Sequence, residues 1–298
     1  MANIFGTRHL SHSGGFLHYV DNDDHLYGTS SSDQIFAGGG NDHIFTGGGN
    51  DYVVAGAGND YIAPVHGLTS VGAWGVVTVF GGSGDDTINY SMSTDRVVAF
   101  GGDDNDNIFG GSGNDSLFGG NGNDVMLGGA GNDHIEGGDG VDHINGGNGN
   151  DVIWGGRDVD YLTGGSGADT FSFNRGDSGL HYADADVIYD FKPTFDRGFP
   201  GDVIHFDGME KGTSSNFFHG TFNSSHDYSD AAAYEHALKE ANHGMVLNGG
   251  EWGNGNMKYV FETDGHNGWL FADMDGDRHF DTGIELKGVT DMHAWNIV

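Results

Sequence analysis

GGNGNDVMLGGAGNDHIEGG spans residues 119–138 and holds two consecutive copies of a nine-residue unit. Each copy runs two glycines, a variable residue, a third glycine, an Asn-Asp pair and then a triplet with an apolar centre. Glycine loses more conformational freedom on folding than any other residue, so each recurrence must be repaid by something the unit binds or buries. The triplet, as in Val125-Met126-Leu127, can form a short strand with its central side chain turned inward. The six residues before the next triplet, Gly128-Gly129-Ala130-Gly131-Asn132-Asp133, are turn formers that accept positive φ and expose carbonyl groups.

The same spacing extends in both directions. Asp33, Asp42, Asp51 and Asp60 lie nine apart, Asp86 stands alone, and Asp106, Asp115, Asp124, Asp133, Asp142, Asp151, Asp160 and Asp169 resume the period. An apolar residue follows each two places later, from Ile35 to Phe171. A fixed short period whose single unit cannot bury its own apolar side chain predicts a solenoid. Two nonamers make one coil of strand, turn, strand and turn, so each turn stacks on the one eighteen residues away. Carboxylates stacked at strand spacing, about 4.8 Å, repel unless a cation lies between them. Calcium meets that need with oxygens from aspartates and backbone carbonyls.

Composition agrees. Glycine accounts for 57 of 298 residues, against an ordinary usage of about 7%. Asp and Glu number 44 against 11 Lys and Arg, a net charge of −33. Such a chain repels nucleic acid and anionic membrane surfaces, and compacts only with external cations. There is no cysteine, which excludes disulfides and thiolate metal sites. The N-terminus lacks the charged-then-apolar form of a signal peptide, and no apolar run approaches membrane-spanning length, so no membrane insertion is expected.

These repeats resemble the calcium-binding nonapeptides of RTX (hemolysin-type) proteins. The resemblance implies an all-β fold: a parallel β-roll over residues 28–173, an N-terminal cap over 1–27, and a β-rich C-terminal cap with one helix over 174–298. It implies calcium at Asp42, Asp51, Asp60, Asp86, Asp106, Asp115, Asp124, Asp133, Asp142, Asp151, Asp160 and Asp169, about eight or more ions in all. Departures mark weak points. GTSSSDQIF, residues 28–36, lacks the glycine pattern and reads as a capping coil with a poor site. Asp104 and Asp158 stand where the fourth-position glycine belongs, which puts those turns in question. The steps from Asp60 to Asp86 and from Asp86 to Asp106 are 26 and 20 residues. The segments near 63–79 and 90–99 therefore bulge from the roll or split it.

Beyond Phe173 aromatic residues become dense. Ser229 to His243 reads as a helix with Ser229 as N-cap, Gly244 beyond its end, and an apolar face of Tyr234, Ala237, Leu238 and Ala241. Residues 258–289 read as a meander of short strands. Within it Asp273, Asp275, Asp277 and Asp281 alternate as in a calcium loop, or form an acidic hairpin turn. GADTFSF, DADVIYDF and GDVIHFDG resemble elements of the C-terminal region of serralysin-type proteases. That resemblance places Asp186, Asp190 and Asp202 at calcium or roll-closing positions, and makes GVTDMHAWNIV, residues 288–298, a type I secretion region.

No catalytic constellation is legible. There is no H-E-x-x-H helix, and His236 and His243 are seven apart, too far for an i, i+4 zinc pair. There is no G-x-S-x-G elbow. His43, His134 and His143 follow motif aspartates and read as outward-facing surface residues. The expectation is a non-enzymatic, extracellular, calcium-binding protein delivered by a type I secretion apparatus. It would serve as a matrix, surface-layer or adhesion component through self-association or a cell-surface or polysaccharide ligand. A polysaccharide lyase or epimerase is the alternative, as is a carrier module of a larger activity. APVHGLTSVGAWGVVTV (63–79) and YSMSTDRVV (90–98) read as contact loops.

Overall fold

The computed structural model describes residues 7–9, 16–18, 23–65, 75–181, 183–193, 201–209, 212, 217–221, 232–233, 235–239, 259–275, 280–293 and 296–298. The chain divides into two compact units, Met1–Asp151 and Val152–Val298.

In the first unit, strands alternate between two parallel sheets as the nonamer demands. One sheet runs in order through Thr7–His9, His25–Tyr27, His43–Phe45, Tyr61–Ala63, Thr87–Asn89, Asn107–Gly111, Val125–Ala130 and His143–Asn148. The other runs through Phe16–His18, Gln34–Gly39, Tyr52–Ala57, Val76–Ser83, Arg96–Asp103, Ser116–Asn121 and His134–Asp139. The register step is eighteen residues, as in Met126↔Ile144 and Leu117↔Ile135. It already holds at Thr7↔His25 and Phe16↔Gln34, so Thr7–His9 and Phe16–His18 keep the repeat period although no double glycine follows either of them as in the motif.

The triplet centres form the interior. Ile35, Val53, Val79, Ala99, Leu117 and Ile135 from one sheet are fully buried, facing Ile44, Ile62, Ile88, Ile108 and Met126 from the other. Each of these Val, Leu, Ile and Met side chains contributes about 1.5–3 kcal/mol on burial, and Ala99 less, a thin return for a glycine-rich turn. The turn itself leaves no latitude. Gly82 has φ +127, and a β-carbon on it would lie 1.8 Å from the Gly56 carbonyl oxygen.

Neither irregular step splits the roll. Gly56 pairs with Gly82 across the 26-residue step, and Phe80 with Phe100 across the 20-residue step. The extra residues fall between the strands ending at Ala63 and Asn89 and those beginning at Val76 and Arg96; residues 66–74 of the first contact loop lie outside the described residues. On the outer face, Phe80, Phe100 and Phe118 stack at 4.7 Å between successive ring centroids. Phe100→Ala removes the middle ring, and a loss of about 1–2 kcal/mol is expected in denaturant unfolding at saturating calcium. Met92→Ala, at a side chain 80% exposed, should leave the midpoint unchanged.

In the second unit, Val152–Arg157, Thr170–Phe173 and Val203–Phe206 form one parallel sheet. In the other, Tyr161–Ser166 and Asp186–Ile188 are followed by Thr282–Leu286, Gly268–Ala272 and Tyr259–Thr263 as an antiparallel meander, with Phe217–Thr221 at its edge. Residues 232–233 and 235–239 are helical, within the predicted helix. Ala233 and Ala237 pack with Val260, Trp269, Phe271 and Phe280, and Leu238 lies against that cluster. Tyr234 and Ala241 of the predicted apolar face fall outside what is described. Among the described residues no helix is long and apolar enough to cross a membrane.

Candidate metal centre

The motif aspartates end each turn and point inward, with side chains no more than 3% exposed from Asp33 to Asp169. Their oxygens divide in function. One oxygen, Oδ1, accepts the backbone N–H of the aspartate one coil earlier. Asp60 receives Asp42 N–H at 2.7 Å, Asp86 receives Asp60 at 2.7 Å, Asp106 receives Asp86 at 2.8 Å and Asp124 receives Asp106 at 2.7 Å. The other oxygen, Oδ2, is buried without a hydrogen-bond partner at Asp42, Asp51, Asp60, Asp86, Asp106, Asp115, Asp124 and Asp133. The fifth-position residue forms a second ladder, with Asn59 N–H donated to Asn41 and Asn123 N–H to Asn105.

The first glycine of each turn shapes the space beside that oxygen. The position of a β-carbon on Gly101 lies 2.1 Å from Asp106 Oδ2 and 2.7 Å from the Gly119 carbonyl oxygen one coil on. The same holds at Gly81, Gly110, Gly119 and Gly128. Carboxylate and carbonyl oxygens thus converge on one small space in turn after turn, the donor set of a hard divalent cation such as calcium. Burial lifts the carboxyl of Asp86 from 3.8 to about 8, with Asp60 and Asp106 adding repulsion. Burial likewise raises Asp42, Asp51 and Asp106 to about 7, and Asp60, Asp115, Asp124 and Asp133 to about 6. No side chain can offset this charge along most of the unit, because Arg96 is the one Lys or Arg between Arg8 and Arg157. The residues present fit calcium.

The two edges of the first unit differ. Along one, the file runs without a break through Asp24, Asp42, Asp60, Asp86, Asp106, Asp124 and Asp142, each linked to the next by an N–H to Oδ1 bond. Along the other, Asp33 and Asp51 are followed by Val77 and Val97 before Asp115, Asp133 and Asp151. The irregular steps therefore remove two carboxylates from one edge and none from the other. Counting uninterrupted sequence runs cannot reveal this, because the 26- and 20-residue steps hide which residues share a rung.

The doubtful turns resolve individually. At residues 28–33 the oxygen that is unpartnered in regular turns is saturated, since Asp33 Oδ2 accepts Thr29 N–H at 2.6 Å and Thr29 Oγ1–H at 2.9 Å. Asp104 and Asp158 take φ of 78° and 75°, the left-handed region that Asp tolerates better than most residues, so both turns keep the glycine's conformation.

In the second unit Asp186 Oδ1 accepts Asp160 N–H at 2.9 Å, and Asp202 Oδ1 accepts Asp169 N–H at 3.0 Å. The other oxygen of Asp202 takes Lys192 N–H at 2.7 Å. Asp190 takes Gly164 and Gly165 N–H on its two oxygens, while the Lys192 ammonium donates to the Gly165 carbonyl. A lysine thus contacts the turn through a carbonyl of the kind a metal would use. Asp273, Asp275 and Asp281 come within 4.8 Å of one another, and Arg175 reaches Asp275 at 2.7 Å and Asp281 at 3.2 Å. A cationic side chain already serves that cluster; Asp277 lies outside the described residues. His43 and His143 are exposed and His134 is half-buried.

The match to a protein-family model agrees with this geometry. The family model of the RTX calcium-binding nonapeptide repeat matches in four copies, over residues 21–62, 75–96, 100–135 and 136–171. No curated protein matches the chain. A solved structure of a subunit of the Azotobacter vinelandii mannuronan C5-epimerase is 21% identical, covering 77% of this chain and 82% of its own, with a TM-score of 0.24. The chain carries RTX calcium-binding repeats folded as a parallel β-solenoid.

Proposed function

We propose that this is a secreted structural protein whose roll assembles on extracellular calcium. The observation that carries the reading is the row of buried aspartate oxygens without partners, which at Asp86, Asp106, Asp115, Asp124 and Asp133 share a small space with a carbonyl of the next coil. The ions lie between successive turns, held by Asp42, Asp51, Asp60, Asp86, Asp106, Asp115, Asp124 and Asp133, with Asp142, Asp151, Asp160 and Asp169 continuing the pattern. Asp186, Asp190 and Asp202 close the ladders of the second unit. Calcium supplies the positive charge that this chain's own side chains lack. Cytosolic calcium is too low for sites of the weak extracellular class, with Kd about 10⁻⁴ to 10⁻³ M, so the chain stays open until it is exported.

The role outside the cell is contact. The outward positions of the described strand triplets in the first unit carry mostly aromatic, aliphatic, hydroxyl, amide and His side chains, with Glu136 among them, while Arg96, Asp103 and Asp139 stand at strand ends beside the acidic turns. Neutral sheet faces between acidic edges suit association with a copy or a neutral surface. Calcium titration followed by circular dichroism and light scattering tests both parts. Appearance of β-structure together with a rise in mass supports an assembling scaffold. Folding without a mass change removes self-assembly, and full structure in chelator removes the calcium reading.

A further inference from the structure

The outer face of the sheet that begins at Thr7–His9 carries a pair of histidines that the nonapeptide pattern does not call for. His25 and His43 open the neighbouring strands His25–Tyr27 and His43–Phe45 and stand opposite each other in the parallel register. Both occupy outward positions of their triplets, since the central Leu26 and Ile44 are fully buried. His43 is exposed and His25 half-buried. Their ring centroids lie 4.7 Å apart, with the planes at 86°. The backbone beneath them is tied, because His43 N–H donates to the Asp24 carbonyl at 2.8 Å and Asp24 N–H to Asp42 Oδ1 at 2.7 Å.

Neighbouring rings hold the pair in place. Tyr61, next in the same column, meets His43 edge-on at 5.8 Å. In the adjoining outward column Tyr27 and Phe45 stack at 5.0 Å. Among the described residues neither imidazole has a hydrogen-bond or ion-pair partner, so the ring nitrogens are open to a ligand. Imidazole suits zinc, copper and nickel, whereas calcium takes oxygen. If each ring gives one nitrogen at about 2.0–2.1 Å, an angle at the ion between square and tetrahedral sets the centroids about 4.5–5.2 Å apart. The observed 4.7 Å lies in that span, so the strands need not move. Asp23, Asp24 and Asp42 flank the pair in sequence, and residues 9–95 contain no Lys or Arg, so the local field favours a cation.

We propose that His25 and His43 together bind one divalent transition ion of the zinc class on the outer face of the sheet. The site differs from the calcium turns in ligand chemistry and in place. It rests on the strand register and not on the calcium reading, which enters only through keeping the roll folded. Two imidazoles leave the rest of the coordination sphere to water, so the ion is held at the surface and remains exchangeable.

The test titrates zinc chloride calorimetrically into the full-length protein at saturating calcium, using variants whose circular dichroism matches the parent. His25→Ala and His43→Ala should each bind one zinc fewer than the parent. The double variant should lose no more than either single, because one ion uses both rings. His266→Ala, at an exposed histidine of the second unit, should keep the parent count. Should the half-buried His25 prove needed for folding, the exposed His43 decides through His43→Ala and His43→Gln, each expected to lose the same ion. The parent count in a folded His43 variant, a double variant that loses two ions, or an equal loss in His266→Ala overturns the proposal. A parent that takes up zinc through this pair but binds no calcium overturns the calcium reading and leaves this one standing.

Discussion

In chelator at pH 7.5 the first unit is expected to have no β-sheet spectrum, and millimolar calcium is expected to restore it fully. Eight buried carboxylates rest at about 6 to 8 in the metal-free fold, against 3.8 when exposed. Ionising each within the fold costs about 3–6 kcal/mol, so a few of them outweigh the about 5–15 kcal/mol by which domains are stable. Because the folded-state values are raised, protons favour the metal-free fold. That contribution is complete below about pH 4 and lost as pH rises through about 6 to 8. Acidifying the chelated protein from pH 7.5 to 5 should therefore recover structure. Acidifying the calcium-loaded protein should weaken it, since protons then compete for the same oxygens. Circular dichroism melts at the two pH values, with and without calcium, check both signs. Equal melting temperatures with and without calcium at pH 7.5 would count against metal-driven folding.

The second large effect is expected from one methyl group. Gly101→Ala puts a carbon 2.1 Å from Asp106 Oδ2 and 2.7 Å from the Gly119 carbonyl, inside the space where a calcium would draw both oxygens. Neither neighbour can withdraw, since one is backbone and the other a carboxylate held by Asp86 N–H. The variant should lose at least one ion and melt more than about 10 °C lower at fixed calcium, as expected for a loss of several kcal/mol. Gly48→Ala is the matched control, because a β-carbon there meets nothing within 4 Å. Its melting temperature should stay within about 2 °C of the parent. Calorimetry reads both, and equal melting of the two variants removes the role given to the first glycine.

The nonapeptide spacing alone foretold the alternating sheets, the inward triplet centres and the stacking of aspartates eighteen residues apart, because one residue type at one interval can satisfy only one rung geometry; it did not foretell that those aspartates would be buried. It was silent where a rung is kept by register without the motif. Thr7–His9 and Phe16–His18 keep the eighteen-residue step without the double glycine of the motif after them. Val77 and Val97 stand on aspartate rungs, yet nothing in YSMSTDRVV or GVVTVF marks them as such. Phe80, Phe100 and Phe118 were visible as residues, but their stacking required the pairing across the 20-residue step. In the C-terminal half the acids were legible and their partners were not, since Arg175 lies 100 residues from Asp275.

The aspartate ladder also has a direction. In every regular rung the amide belongs to the earlier coil and the carboxylate to the later one, as when Asp106 N–H meets Asp124 Oδ1. A coil therefore cannot satisfy its own aspartate amide; it waits for the coil encoded after it. Growth from the N-terminal side leaves the newest amide bare at each step, whereas growth from the C-terminal side always offers a carboxylate already in place. A chain that entered a calcium-rich medium tail first would meet its templates in the order it needs them, and the roll would zip in the sense opposite to translation.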